Sequence, residues 1–119
     1  MFALLVEGCI LVIMKPSKLD LFELQAGLCQ VMANPKRIAI VDILSAGESN
    51  VGDLAEALTT SISTVSQHLR IMKDKNVVAS RKDAQTVYYH LVSPRLVESC
   101  HIMREVLQEE LSKHCIELG

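Results

Sequence analysis

Six polar side chains in one short stretch define the chemistry open to this chain: Ser63, Thr64, Ser66, Gln67, His68 and Arg70. Five carry short or flat hydrogen-bonding groups, and the sixth carries a guanidinium. That set can meet phosphate oxygens and base edges in the major groove of duplex DNA. The Glu and Lys of a generic solvated helix are missing from it. Ile62, Val65, Leu69 and Met72 run between them at steps of three, four and three. The spacing predicts a helix over residues 61–75 with one apolar stripe and a polar remainder. Ser61 stands where an N-cap belongs, leaving the first free N–H groups of the helix for a phosphate. An ordinary polar surface helix would show the same pattern, so the flanking elements decide.

They favour DNA. Val51–Leu58 reads as a short amphipathic helix, and Thr59-Thr60-Ser61 as the turn between it and the polar helix. Val77–Arg81 and Thr86–Leu91 are rich in β-branched and aromatic residues, which predicts two antiparallel strands. Lys82-Asp83-Ala84-Gln85 joins them, placing Arg81 and Lys82 at the tip. Two helices across a turn followed by a basic hairpin make a helix-turn-helix with a wing. A wing uses such basic residues on the phosphate backbone or in the adjacent minor groove.

The run SISTVSQHLRIMKDKNVV followed by SRKDAQTVYYHL resembles the recognition helix and wing of the ArsR/SmtB family of bacterial and archaeal repressors. MANPKRIAIVDIL upstream resembles that family's second helix, with its N-P-x-R opening. The similarity covers roughly Leu19 to Leu111, and Ser61, Ser63, Ser66, His68 and Leu69 carry its most specific part. The resemblance implies a homodimeric winged-helix protein that binds operator DNA. It also implies release, or a changed grip, when a metal ion or an oxidant reaches a sensing site.

Composition fits once the chain is divided. The 119 residues suit one domain, and half of them are hydrophobic. The net charge of −2 looks wrong for a DNA binder. Residues 61–91, however, hold five basic side chains against two acidic ones, a local charge of +3. The flanking segments carry −3 and −2, so the positive charge sits on the proposed reading head. Cys9, Cys29, Cys100 and Cys115 form no C-x-x-C pair, and no secretory signal is apparent. Free thiols in a reducing cytoplasm are the expectation. The apolar run at residues 1–13 is too short to span a bilayer and lacks the features of a signal peptide. Met14 reads as the natural start of a domain covering 14–119; the alternative is an added apolar element packing on a dimer.

Several elements must position the head. Asp20 and Glu23 suggest a capping box for a first helix reaching about Ala33. Asn34-Pro35 opens a second helix to about Ala46, with Gly47 at its end, and Asn50 caps the helix beginning at Val51. Ser93-Pro94 opens a last helix to about Glu117, with apolar residues at Leu96, Cys100, Met103, Leu107, Leu111 and Cys115. One small domain rarely needs so long a seam, so a second copy is expected to cover it. The expected fold is therefore mainly α: about five helices and a two-stranded wing. The family resemblance puts the first and last helices at the dimer interface. A symmetric dimer sets two recognition helices about one DNA turn apart and demands a near-palindromic operator.

The resemblance also frames the sensing site. Val51–Leu58 lacks the C-x-C ligands that one class of family sensor carries there. Another class binds zinc through the last helix, and here His101, His114 and Glu117, with Glu98, resemble its ligands. The spacing departs from that set, because Glu98 lies three before His101 and the histidines are thirteen apart. A third reading is thiol chemistry at Cys29 and Cys100, with Cys115, by oxidation, polysulfide linkage or capture of a thiophilic metal or metalloid. Family thiol sensors keep a cysteine where this chain has Asp42, and any of these cysteines also serves as a small core hydrophobe. No nucleophile elbow and no phosphate-binding Gly loop occurs, so an enzyme is not expected. The rival of another class is a winged-helix protein-interaction module without DNA readout.

Overall fold

The computed structural model describes residues 17–118, with side chains through His114. The extension at 1–13 and the start at Met14 therefore lie outside the described residues, as do the side chains of Cys115 and Glu117. Contacts divide the chain into two compact units, the first ending at Gln30 and the second beginning at Val31.

Helix α1, Lys18–Val31, together with Ser17 makes up the described part of the first unit, apart from its final residue, Val31, which falls in the second. Its cap is not Asp20. Ser17 and Asp20 satisfy each other instead: the Asp20 N–H donates to Ser17 Oγ at 3.1 Å, and the Ser17 N–H donates to Asp20 Oδ2 at 3.2 Å. The capping box thus lies three residues earlier than the sequence suggested, using a hydroxyl and a shorter carboxylate. Leu19, Leu21, Phe22 and Leu24 are all more than half exposed.

In the second unit, Asn34 Oδ1 accepts from the Lys36 and Arg37 N–H groups at 2.9 and 3.3 Å, and Pro35 opens α2, Pro35–Leu44. Pro tolerates that position because its missing N–H would be unpaired there anyway. Strand β1, Ser49–Asn50, leads directly into α3, Val51–Leu58, whose Asp53 N–H donates to Asn50 Oδ1 at 2.8 Å. Thr59 ends α3 in the left-handed region, at φ 52°. Helix α4, Ile62–Asp74, follows; then strands β2, Val78–Asp83, and β3, Thr86–Leu91; then α5, Arg95–Leu118.

The core lies where α2, α3 and α4 converge. Ile40, Val41, Leu54, Val65, Leu69 and Met72 have almost no exposed surface. Burying each such side chain is worth about 1.5–3 kcal/mol. Ile62 does not join them, although the spacing put it on the same stripe: it is 59 % exposed. It begins the helix beside the N-cap, and one residue of the first turn can overhang the core without a partner.

The sheet is three-stranded rather than two-stranded, with β3 between β1 and β2 and both pairings antiparallel. Ser49 pairs with Tyr89 and Asn50 with Tyr88. A Ser-Asn dipeptide has no strand signature, and β3 recruits it through backbone groups alone. The hairpin is also tighter than expected. Its strands pair out to Asp83 and Thr86, leaving only Ala84 and Gln85 in the turn, with Ala84 at φ 57°.

Candidate nucleic-acid interface

Helix α4 presents two faces fixed by its burial. Val65, Leu69 and Met72 hold one face in the core, and Ser63, Ser66, Gln67 and Arg70 are exposed on the other. Steps of three, four and seven from Ser63 align these four along one stripe. Among the described residues Arg70 has no ion-pair partner. Ser61 is the N-cap: its Oγ accepts the Thr64 N–H at 3.1 Å and donates to Thr64 Oγ1 at 2.8 Å. The helix therefore starts at a fixed point, and its first turn is held before any ligand arrives.

Two of the six expected contact residues sit elsewhere. Thr64 is half-buried against its cap. His68, one turn on, is half-buried and faces α2, where its Nδ1 accepts from Arg37 Nε at 3.2 Å. The same guanidinium donates through Nη1 to the Val31 carbonyl at 3.1 Å. Burial first, then the charges of Arg37 and Lys36, push the His68 pKa below its ordinary value. His68 thus accepts a hydrogen bond across the α2–α4 contact instead of facing outward, a position hidden by its place in a polar run.

The wing divides its two basic residues. Lys82 is exposed and, among the described residues, has no ion-pair partner. Arg81 is engaged three ways. Its Nε donates to Glu48 Oε2 at 2.9 Å, and its Nη2 pairs with Glu48 Oε1. Its Nη1 lies 3.9 Å from Asp83, and its guanidinium carbon lies 4.9 Å from the centre of the Tyr88 ring. The hydrogen bonds lower the Glu48 pKa and raise that of Arg81. Glu48 escaped the sequence reading because it lies 33 residues from Arg81 and precedes a strand that has no sequence signal. A second tie, Lys73 Nζ to Ser80 Oγ at 2.8 Å, anchors the end of α4 to β2.

The sensing candidates are dispersed. Cys29 is exposed on α1, in the first unit. Cys100 is half-buried on α5; burial raises its thiol pKa, Asp42 adds to the rise and Arg104 opposes it. His101 Nε2 lies 3.4 Å from Asp42 Oδ1, and Arg104 Nη1 lies 3.5 Å from the same oxygen. His114 is exposed. The thirteen residues from His101 to His114 span about 20 Å of helix axis, too far for one ion to bridge within a protomer. Among the described residues no three His, Cys, Asp or Glu side chains are placed to hold a metal. None of the helices there is long and apolar enough to cross a membrane.

Comparison with known proteins agrees with this arrangement. The family model described as "Bacterial regulatory protein, arsR family" matches residues 34–80, which span α2 through the start of β2. The nodulation protein NolR of Rhizobium meliloti is 37 % identical over 95 residues, covering 80 % of this chain and 78 % of that protein. The transcriptional repressor SdpR of Bacillus subtilis is 32 % identical over 74 residues, covering 62 % of this chain and 82 % of its own. Among solved structures, a homodimeric winged helix-turn-helix DNA-binding domain from Mycobacterium bovis superposes with a TM-score of 0.72. It is 25 % identical, over 84 % of this chain and 94 % of that one.

Proposed function

The chain belongs to the ArsR family of bacterial regulatory proteins, and on that premise we propose that it is a homodimeric, sequence-specific repressor of transcription. Its reading surface is the stripe of Ser63, Ser66, Gln67 and Arg70. One observation carries this reading: these four are exposed in line on a helix whose opposite side is held in the core by the fully buried Val65, Leu69 and Met72. A helix so held presents a fixed set of small donors and acceptors, narrow enough to enter the major groove. Lys82 adds phosphate attraction from the wing. Ser61 supports the helix start; Thr64 and His68 act by holding α4 in place rather than by touching DNA.

The dimer draws on the exposed apolar residues of α1 and α5. Met103, Leu107 and Leu111 of α5, and Leu19, Phe22 and Leu24 of α1, are all more than half exposed. A solved relative is homodimeric, which supports a second copy of this chain as the partner. Two recognition helices then address half-sites about 34–36 Å apart.

We assign release from DNA to thiol chemistry. Cys29 is exposed and therefore the more accessible thiol, whereas Cys100 is half-buried and burial raises its pKa. The polar stripe argues against the protein-interaction rival, because such surfaces favour Tyr, Trp and Met over small hydroxyls. No convergent ligand set among the described residues favours zinc.

The test is binding of the reduced protein to its own promoter region across a salt series. A near-palindromic site should bind about 10³-fold or more tighter than random duplex. Failure to find any site bound above random DNA overturns the repressor reading. Oxidant, polysulfide, arsenite and zinc are then added in turn to wild type, Cys29→Ser and Cys100→Ser. Thiol sensing requires that at least one serine variant lose its response.

A further inference from the structure

The most heavily engaged charge in the reading head is Arg81, and its partner belongs to another element. Glu48 immediately precedes β1, Tyr88 lies on the central strand and Arg81 lies on β2. Asn50, Tyr88 and Arg81 are aligned across the three strands, and residues two apart on a strand share a face. Glu48, the residue before β1, reaches the Arg81 guanidinium that lies over the Tyr88 ring. The two-residue β1 serves to bring this carboxylate over the wing. There it meets the guanidinium with two oxygens against two nitrogens, the fork-to-fork arrangement in which Arg also binds a phosphate. Both side chains are solvent-accessible, with 49 % of Arg81 and 36 % of Glu48 exposed. The pair can therefore open without unfolding anything.

We propose that Glu48 is an internal stand-in for a DNA phosphate: it occupies Arg81 in the free protein and must release it before the wing can grip the backbone. This rests on the DNA-binding reading above and adds a determinant of affinity outside the recognition helix. Every duplex, specific or random, meets the same competitor. The cost of freeing Arg81 is the same for both, because it falls on the phosphate contact that operator and random DNA share. Glu48 thereby lowers affinity for all sequences alike and leaves the ratio of operator to random binding unchanged. The Tyr88 ring lies beside the guanidinium while it is paired with Glu48.

The experiment is a double-mutant cycle on the full chain, with Glu48→Gln, Arg81→Ala and both together. Each is titrated against an operator duplex and a random duplex over a salt series. Glu48→Gln should tighten random-duplex binding about two- to fivefold, the range of an exposed ion pair. It should also steepen the salt slope by up to about 0.9. In the Arg81→Ala background the same substitution should change neither quantity. If Glu48→Gln tightens binding equally with and without Arg81, the carboxylate acts only as a general negative charge and the proposal fails. If Glu48→Gln weakens binding, the pair is a brace for the wing and the proposal also fails. Wild-type protein that binds no duplex at all would overturn the DNA-binding reading itself, an outcome distinct from either of these.

Discussion

Helices α4 and α5 carry apolar stripes of the same periodicity, yet one is sealed and the other is bare. On α4, Val65, Leu69 and Met72 have no measurable exposure, because α2 and α3 close over them within the same unit. On α5, Met103, Leu107 and Leu111 recur at steps of four and remain 57–65 % exposed. The stripe is a demand for cover, and the fold decides who supplies it. For α4 the cover is intramolecular, which makes its outer face rigid enough to read DNA. For α5 no cover comes from the described residues, and under the proposed dimer a second copy supplies it and sets two reading faces at a fixed spacing.

The sharpest way to break this contrast is to truncate both stripes. Leu69→Ala should cost about 2–5 kcal/mol of folding stability, the range for a fully buried Leu in a close-packed core. Urea unfolding followed by circular dichroism measures it. A loss under about 1 kcal/mol would mean that α4 is not held as described and that its outer face is not fixed.

Leu107→Glu tests the other half. It should leave the protomer's helical spectrum intact but weaken dimerisation about 30-fold or more, as burial of a charge at the centre of an interface requires. Sedimentation equilibrium would show it, and the melting temperature should stop depending on protein concentration. Operator affinity should fall with the dimer while random-duplex affinity per protomer stays. A variant that remains dimeric would place the interface elsewhere.

The two helices also differ in how well their sequence revealed them. The N-caps of α2, α3 and α4, at Asn34, Asn50 and Ser61, were legible because a cap is a local chemical need met by a few residue types. The buried stripe of α4 was legible for the same reason, since 3.6-residue periodicity is a property of one segment. What escaped depends on distant partners. β1 forms only because β3 offers it an edge. Glu48 finds Arg81, and Arg37 finds His68, across 33 and 31 residues. His68 is the instructive case. Its neighbours Ser66 and Gln67 are exposed, and residue type alone grouped it with them, but 100° of rotation per residue turned it inward. The candidate site was thus legible as a helix and a wing, but the partition of its residues into reading and bracing was not.

Ser61→Ala sharpens the comparison at the start of α4. It removes the oxygen that accepts the Thr64 N–H and leaves a first-turn donor unsatisfied. The expected cost is about 1 kcal/mol of stability. Operator affinity should fall further than that cost alone explains, because Ser63 sits within the turn that frays. A fall in stability with unchanged affinity would separate the cap from the reading face.

The smallest expected effect is the pH dependence carried by His68. Burial and the charges of Arg37 and Lys36 hold its pKa below the ordinary 6.5, so the folded protein favours neutral imidazole. Between that lowered value and 6.5 the unfolded chain binds more protons than the folded one, and stability therefore rises with pH through the window. The contribution is fully present above about pH 7 and is lost as the pH falls toward the folded pKa. Protonation also removes the acceptor from Nδ1, which breaks the bond from Arg37 Nε and sets two cations against each other. His68→Gln keeps an acceptor for Arg37 and cannot titrate. Thermal melts from pH 8 to pH 5 should show wild type losing more stability than His68→Gln, with the difference confined to the region below about pH 7. Parallel curves would mean that the Arg37–His68 contact does not hold α4, and its angle on α2 would then rest on the buried stripe alone.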